Sequence, residues 1–208
     1  MVPGSGLREE LLYSLLGGES QQWVEELVQG MGPYRLPKRE VVRRIAKARQ
    51  LYAALWPVHR RYPIAEKLLV SALLGSLSRS TEKLDDLSRL NCLPSTGKLS
   101  LTVEQRQVVF GASAFLLEYE DGDQRKTGKK MWQSARGILS QNEIELAKLF
   151  GTVLQIATEV SQRGSRNQIR LDMKGEPLEL KLFVRDGQVP LLLEKRLSRV
   201  LNRKIVFG

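Results

Sequence analysis

A single cysteine and a single histidine in 208 residues remove most thiol and imidazole chemistry from consideration. Cys92 alone excludes an intramolecular disulfide framework and any multi-thiolate zinc site, which fits a reducing compartment and a buried, small apolar role for this residue. His59 alone excludes a metal site built on several imidazoles. A Ser-His-Asp triad would have to use it, yet nothing around Pro57-Val58-His59-Arg60-Arg61 marks a nucleophile for it to activate. Aromatic residues amount to 6% and are not interleaved with basic ones, so binding of single-stranded nucleic acid by base stacking is disfavoured and nucleic acid is not the expected partner. No apolar run approaches the roughly 18 residues that mark a membrane span. Residues 1–12 carry Arg8, Glu9 and Glu10 where a secretory leader would have a basic start and an apolar run. A cytoplasmic protein without membrane contact is therefore expected.

Phosphate loops and carboxylate metal sites are also missing. A P-loop needs Gly, four residues, then Gly-Lys-Ser/Thr, so that its amides wrap the phosphates and its hydroxyl meets magnesium. Gly122 and Gly128 are separated by five residues and followed by Lys129-Lys130, while Gly97-Lys98-Leu99 lacks both the first glycine and the hydroxyl. Asp85-Asp86 and Asp121-Gly122-Asp123 have no further ligands at fixed spacing and read as caps and turns. No catalytic residue, metal or cofactor is predicted.

What is present is an ordinary globular composition, 42% hydrophobic and 27% charged, with an excess of positive charge: 33 Lys and Arg against 23 Asp and Glu, a formal net charge of +10. That length and composition allow one or two domains, and the charge favours polyanions such as phosphate chains, nucleotides or nucleic acid, or an acidic partner, without choosing among them.

Helical periodicity dominates the chain. Leu7, Leu11, Leu12, Leu15 and Leu16 predict a first short helix that stops at Gly17-Gly18. Ser20 can cap a second, with Trp23, Val24, Leu27, Val28 and Met31 on one face, before Gly32-Pro33. A third is expected from Pro37 to about Trp56, with Val41, Ile45, Ala48, Tyr52 and Leu55 on its apolar face and Arg39, Arg43 and Lys47 opposite, turned to solvent or a ligand. Pro63 opens a fourth that is apolar nearly all round, from Leu68 to Leu77, as suits the centre of a bundle. A short helix over Thr81–Leu90 and a loop over Pro94–Ser100 follow. Thr102 with Gln105 and Ser140 with Glu143 are capping boxes, predicting helices over about 103–120 and from 140 to about 162. Asp121–Lys130, polar and glycine-punctuated, reads as an exposed loop. From Asn167 the period changes to two, and Gly175-Glu176-Pro177 separates two strands of a hairpin. A helix over Pro190–Leu201 and a short strand over Lys204–Phe207 complete the chain. The architecture expected is mainly α, a helical bundle followed by a small α/β subdomain of hairpin, helix and strand. Its divisions are a junction helix over 1–18, the helical domain over 19–165 and the subdomain over 166–208.

Basic residues recur in groups: Arg39, Arg43 and Lys47, then Arg60-Arg61, Arg125 to Lys130, Arg163, Arg166 and Arg170, and Lys195, Arg196, Arg199, Arg203 and Lys204. Arg39, Arg43, Lys47, Arg60, Arg61, Lys129 and Lys130 are the candidate polyanion contacts, provided the fold gathers them on one surface.

In order and kind these segments resemble the C-terminal part of the exopolyphosphatase and guanosine pentaphosphate phosphohydrolase family, over nearly the whole chain. Gly6-Leu7-Arg8-Glu9-Glu10-Leu11-Leu12 is similar to the family's Gly-Leu-Arg-Glu-Gly segment, which leads from the actin-like phosphatase domains into the helical domain. Leu99–Val109, Leu139–Gln162 and Asn167–Phe207 resemble the capped helix, the long helix and the C-terminal end. The resemblance implies an HD-like helical bundle. It also implies a degenerate one, because Gly75-Ser76 stand where the family's relatives carry a His-Asp pair, Phe115-Leu116 where histidine is frequent, and Gln155 and Thr158 where arginine and aspartate are common. The phosphatase chemistry of the family belongs to the actin-like domains, so this chain is not expected to hydrolyse polyphosphate alone. What the resemblance implies is a non-catalytic accessory domain that binds polyphosphate or another polyanion, or supports a homodimer, with a phosphatase domain upstream or as a separate subunit. A regulatory or scaffold module without a phosphate ligand is the alternative.

Overall fold

Proline and paired capping residues set several of the helix ends. A computed structural model describes residues 20–30, 32–55, 65–78, 101–162, 169–174, 179–184 and 190–207. The expected junction helix of residues 1–18, the Thr81–Leu90 helix, the Pro94–Ser100 loop, and Trp56, His59, Arg60, Arg61 and Cys92 lie outside those residues. Helix α1 spans Ser20–Gly30. Helix α2, Lys38–Ala54, starts directly after Pro37, whose ring presets φ at the entry to a helix. Helix α3 covers Ala65–Leu77.

Helix α4, Val103–Leu117, opens on the expected capping box. The Thr102 hydroxyl accepts the Gln105 N–H at 3.3 Å and the Gln105 side chain accepts the Thr102 N–H at 3.0 Å, an arrangement worth about 1 kcal/mol. Asp121–Lys130, expected as a loop, is instead the first half of helix α5, Gly122–Ile138. The glycines that suggest a loop serve the helix. Gly122 takes a φ of 63° at its first position, which a side chain would strain. Gly128 lies so close to the end of α4 that a β-carbon would stand 2.5 Å from the Leu117 carbonyl carbon. One side of α5 is still buried, through Gly128, Met131, Trp132 and Ala135. Helix α6, Gln141–Gln162, follows at once, with the Glu143 carboxylate accepting the Ser140 N–H at 2.8 Å and the Ser140 hydroxyl accepting the Glu143 N–H at 3.5 Å.

The core forms where α3, α4 and α6 meet. Leu68–Leu74 of α3, Val108–Ala114 of α4 and Leu149–Thr158 of α6 are buried without interruption, and α6 packs against α2, α3 and α4. Continuous burial is what an all-round apolar helix requires. Phe110 and Phe150 are the bulkiest wholly enclosed side chains among the described residues. Tyr52 meets the Phe150 ring edge-on at 5.9 Å and Phe115 meets Trp132 at 5.1 Å, contacts worth about 0.5–1.5 kcal/mol each beyond the area they bury. The Ser113 hydroxyl ties α4 to α3 by donating to the Ala72 carbonyl at 2.7 Å.

Beyond α6, strand β1 (Ile169–Lys174) pairs antiparallel with β2 (Glu179–Val184), placing Ile169 opposite Val184 and Lys174 opposite Glu179. Helix α7 (Leu191–Leu201) then leads to β3 (Ile205–Phe207), which lies parallel to β2 in a sheet of order β1-β2-β3. Asn202 ends α7 in the left-handed region with φ 49°. Its N–H bonds to the Arg199 carbonyl and that of Arg203 to the Ser198 carbonyl, the pattern of a Schellman stop. The described apolar residues of these C-terminal segments are shared with the helical bundle. Strands of three to six residues bury too little alone. Instead α7 packs on α6, β1 contacts α2, and Leu193, Leu197 and Ile205 join the same apolar cluster as the helices. The described chain is mainly helical, and the change of period marks a change of element type.

Candidate functional site

The densest exposed charge among the described residues lies on α5. At 100° per residue, Arg125, Lys129 and Arg136 fall within about 40° of one another, with Lys126 and Lys130 on the adjoining flank. All five are exposed, Lys126 and Lys130 opposite the side that packs on α4 and Arg125, Lys129 and Arg136 beside it. At 1.5 Å per residue, Arg125 and Lys129 are about 6 Å apart along the axis, and Arg136 is about 10 Å further on. The one ion pair within this face joins Lys126 to Asp123 at 3.4 Å, with side chains 84% and 94% exposed, and such a pair contributes little. Lys129 and Lys130, both expected as polyanion contacts, therefore share one continuous basic surface with Arg125, Lys126 and Arg136.

The expected row on α2 is not a solvent-facing row. Arg39 is exposed, but Arg43 is partly covered and donates to Glu40 at 3.1 Å. Lys47 retains only 7% of its surface and donates to the Gln50 side chain at 3.3 Å. The physical reason is that α2 is flanked by both α3 and α6, so its buried sector is wider than its apolar stripe. Arg44, between these positions, is buried as well. Its Nε donates to Glu40 at 3.3 Å, Glu120 lies 3.9 Å away, and the Ser161 hydroxyl donates to the same Glu40 carboxylate at 3.2 Å. Glu40, Arg44 and Ser161 thus form a polar seam between α2 and α6. The seven expected contacts fall into separate groups on α2 and α5, with Arg60 and Arg61 outside the described residues.

Burial pushes the Lys47 ammonium below its ordinary value of 10.5, and the Arg43 charge adds to the effect. A lysine that gives up its proton more readily in the fold leaves the unfolded chain with more bound protons between the lowered value and 10.5, so stability rises with pH across that window and levels off above it. Lys47→Met is expected to flatten the rise. Urea unfolding midpoints between about pH 8 and 11 check this, and equal pH slopes for the two proteins would contradict it.

The positions that the resemblance singled out for missing metal ligands carry packing roles where they are described. The Ser76 hydroxyl donates to the Leu73 carbonyl at 2.7 Å, and Gln155 joins α6 to α4 by donating to the Phe115 carbonyl at 2.7 Å. Among the described residues no group of three or more His, Cys, Asp or Glu side chains is placed to hold a metal ion. No described helix is long and apolar enough to cross a membrane.

In the sequence Arg196 and Arg199 stand among other basic residues with nothing to single them out, and Lys148 belongs to no basic group. All three line one cleft between α6 and α7. The available signal is Gln155, an amide in the predominantly apolar middle of a long helix. Neither a scan of protein-family models nor a search of curated proteins finds a match for this chain.

Proposed function

We propose that the chain is a non-catalytic domain that binds polyphosphate or a similar flexible polyanion along the basic face of α5. In this reading it is an accessory domain of an exopolyphosphatase-like protein with a degenerate HD-like bundle, and the phosphatase chemistry resides in a different domain or subunit. The observation that carries it is the exposed α5 surface of Arg125, Lys126, Lys129, Lys130 and Arg136, where a single weak intrahelical pair offsets five positive charges. Cations spaced along an axis suit a chain of repeating negative charges better than a compact ligand, and base-stacking aromatics are absent from the face.

Long-chain polyphosphate is expected to bind at low salt and to weaken steeply as salt is added, because the contacts are exposed and screened. Arg125→Glu, Lys129→Glu and Lys130→Glu combined are expected to lower affinity at least about tenfold, each reversal replacing an attraction by a repulsion. Fluorescence anisotropy with labelled polyphosphate measures both effects. No binding at low salt would overturn the polyanion reading and leave a regulatory or scaffold module acting through protein contacts. That second reading draws on Leu191 and Leu192, adjacent at the start of α7 and 59% and 53% exposed.

A further inference from the structure

Helices α6 and α7 enclose an open cleft of about 700 Å³, within the size range of small-ligand sites. Gln141, Glu145 and Lys148 line it from α6; Arg196, Arg199, Val200 and Leu201 from α7; Asn202 and Phe115 complete it. Three cations face one carboxylate. None of Lys148, Arg196 and Arg199 has a carboxylate partner among the described residues.

Arg196 is fixed in advance. One of its terminal nitrogens donates to the Gln155 side-chain oxygen at 3.1 Å, and its guanidinium lies 5.6 Å over the Phe115 ring. Gln155 is wholly buried, and its amide nitrogen is committed to the Phe115 carbonyl, which settles which end of the amide meets the arginine. A guanidinium carries five N–H donors, so most of the Arg196 fork is left for a ligand. Holding it still removes part of the ordering cost of binding.

We infer that this cleft is a binding site for a phosphate monoester with a compact organic body. A dianionic head, about −1.5 to −2 at neutral pH, matches the net excess of two positive charges, and the Arg196 fork offers parallel donors to its oxygens. Phe115, Val200 and Leu201 give the organic body an apolar wall, while Gln141, Glu145 and Asn202 supply polar groups for its hydroxyls or amides. Gln155 acts as a positioning residue. The site shares no residue with the basic face of α5, so it stands or falls independently of the polyanion reading.

Phenyl phosphate, titrated into the full chain and followed by calorimetry, is expected to bind with a dissociation constant of about millimolar or better, and more tightly than inorganic phosphate, which cannot use the apolar wall. Arg196→Gln is expected to weaken it about tenfold or more, and Arg196→Lys to restore only part, because a lysine keeps the charge and loses the fork. Gln155→Leu is expected to weaken phenyl phosphate binding while the Arg196 side chain remains, and circular dichroism of each variant establishes that it is folded. The α5 charge reversals are expected to leave phenyl phosphate binding unchanged. Absence of phenyl phosphate binding, affinity equal to that of inorganic phosphate, or a folded Arg196→Gln protein that binds like the parent would each overturn the assignment.

Discussion

Gly128→Ala is expected to destabilise the protein by about 3 kcal/mol or more, at the upper end of what overpacking by one carbon costs. The new methyl group would stand 2.5 Å from the Leu117 carbonyl carbon and 2.8 Å from its β-carbon, and closer still to the Glu118 backbone nitrogen. Two of those three atoms are backbone, so no rotamer change relieves the clash, and α5 must move away from the end of α4. That movement would also disturb Trp132, whose ring packs edge-on against Phe115. The gain in helix propensity, about 1 kcal/mol for Gly to Ala, does not offset this. Gly137 is the internal comparison. It lies on the same helix with nothing within 4 Å of its added carbon, so Gly137→Ala should stabilise by up to about 1 kcal/mol. Urea denaturation of both variants reads the two signs directly; a Gly128→Ala midpoint equal to the parent's would show that the helix pair is not closely packed there.

Glu40→Ala is expected to cost about 2–3 kcal/mol, below the 3–5 kcal/mol typical of breaking a buried pair. The discount has two causes: the Glu40 side chain is 21% exposed, and Glu120 remains 3.9 Å from Arg44. The cost arises chiefly at Arg44, whose side chain is 6% exposed and would keep its charge with a single distant partner. Ser161 also loses its bond to the carboxylate, though its hydroxyl still reaches the Thr158 carbonyl at 2.9 Å. Glu40→Gln, which retains a hydrogen-bond acceptor, should lose less. If the buried charge is the cause, Arg44→Met combined with Glu40→Ala will be less destabilised than the sum of the two single changes. Strict additivity would place the loss elsewhere.

What was legible in the sequence was local. Thr102 with Gln105 and Ser140 with Glu143 close their hydrogen bonds within a single turn, so four residues carry the whole signal. The nearly all-round apolar character of α3 points to its central place for the same reason. Asp121–Lys130 was misleading because glycine has two meanings: freedom in a loop, or room for a neighbouring backbone. Only the packing of α5 on α4 shows that Gly128 has the second. Lys47 reads as facing solvent or a ligand because a helical wheel shows one apolar stripe and cannot register that α2 is covered from two sides. The fixing of Arg196 by Gln155 joins positions 41 residues apart, beyond the reach of any periodicity. The exposure of Lys129 and Lys130 was legible, since four cations within six residues cannot enter a core.

The polar seam also carries a consequence for the order in which the chain assembles. Ser161 and Glu40 are separated by 121 positions, and closing a loop of that length costs roughly 4 kcal/mol of chain entropy beyond the length-independent part. Helices α4, α5 and α6, by contrast, are joined by connections of a few residues and meet through contacts much nearer in sequence, 40 positions apart for Gln155 and the Phe115 carbonyl, the kind that form faster. The three can associate before α2 arrives. On this ordering α2 is expected to dock last, closing the long loop, with the Glu40 carboxylate as its latch.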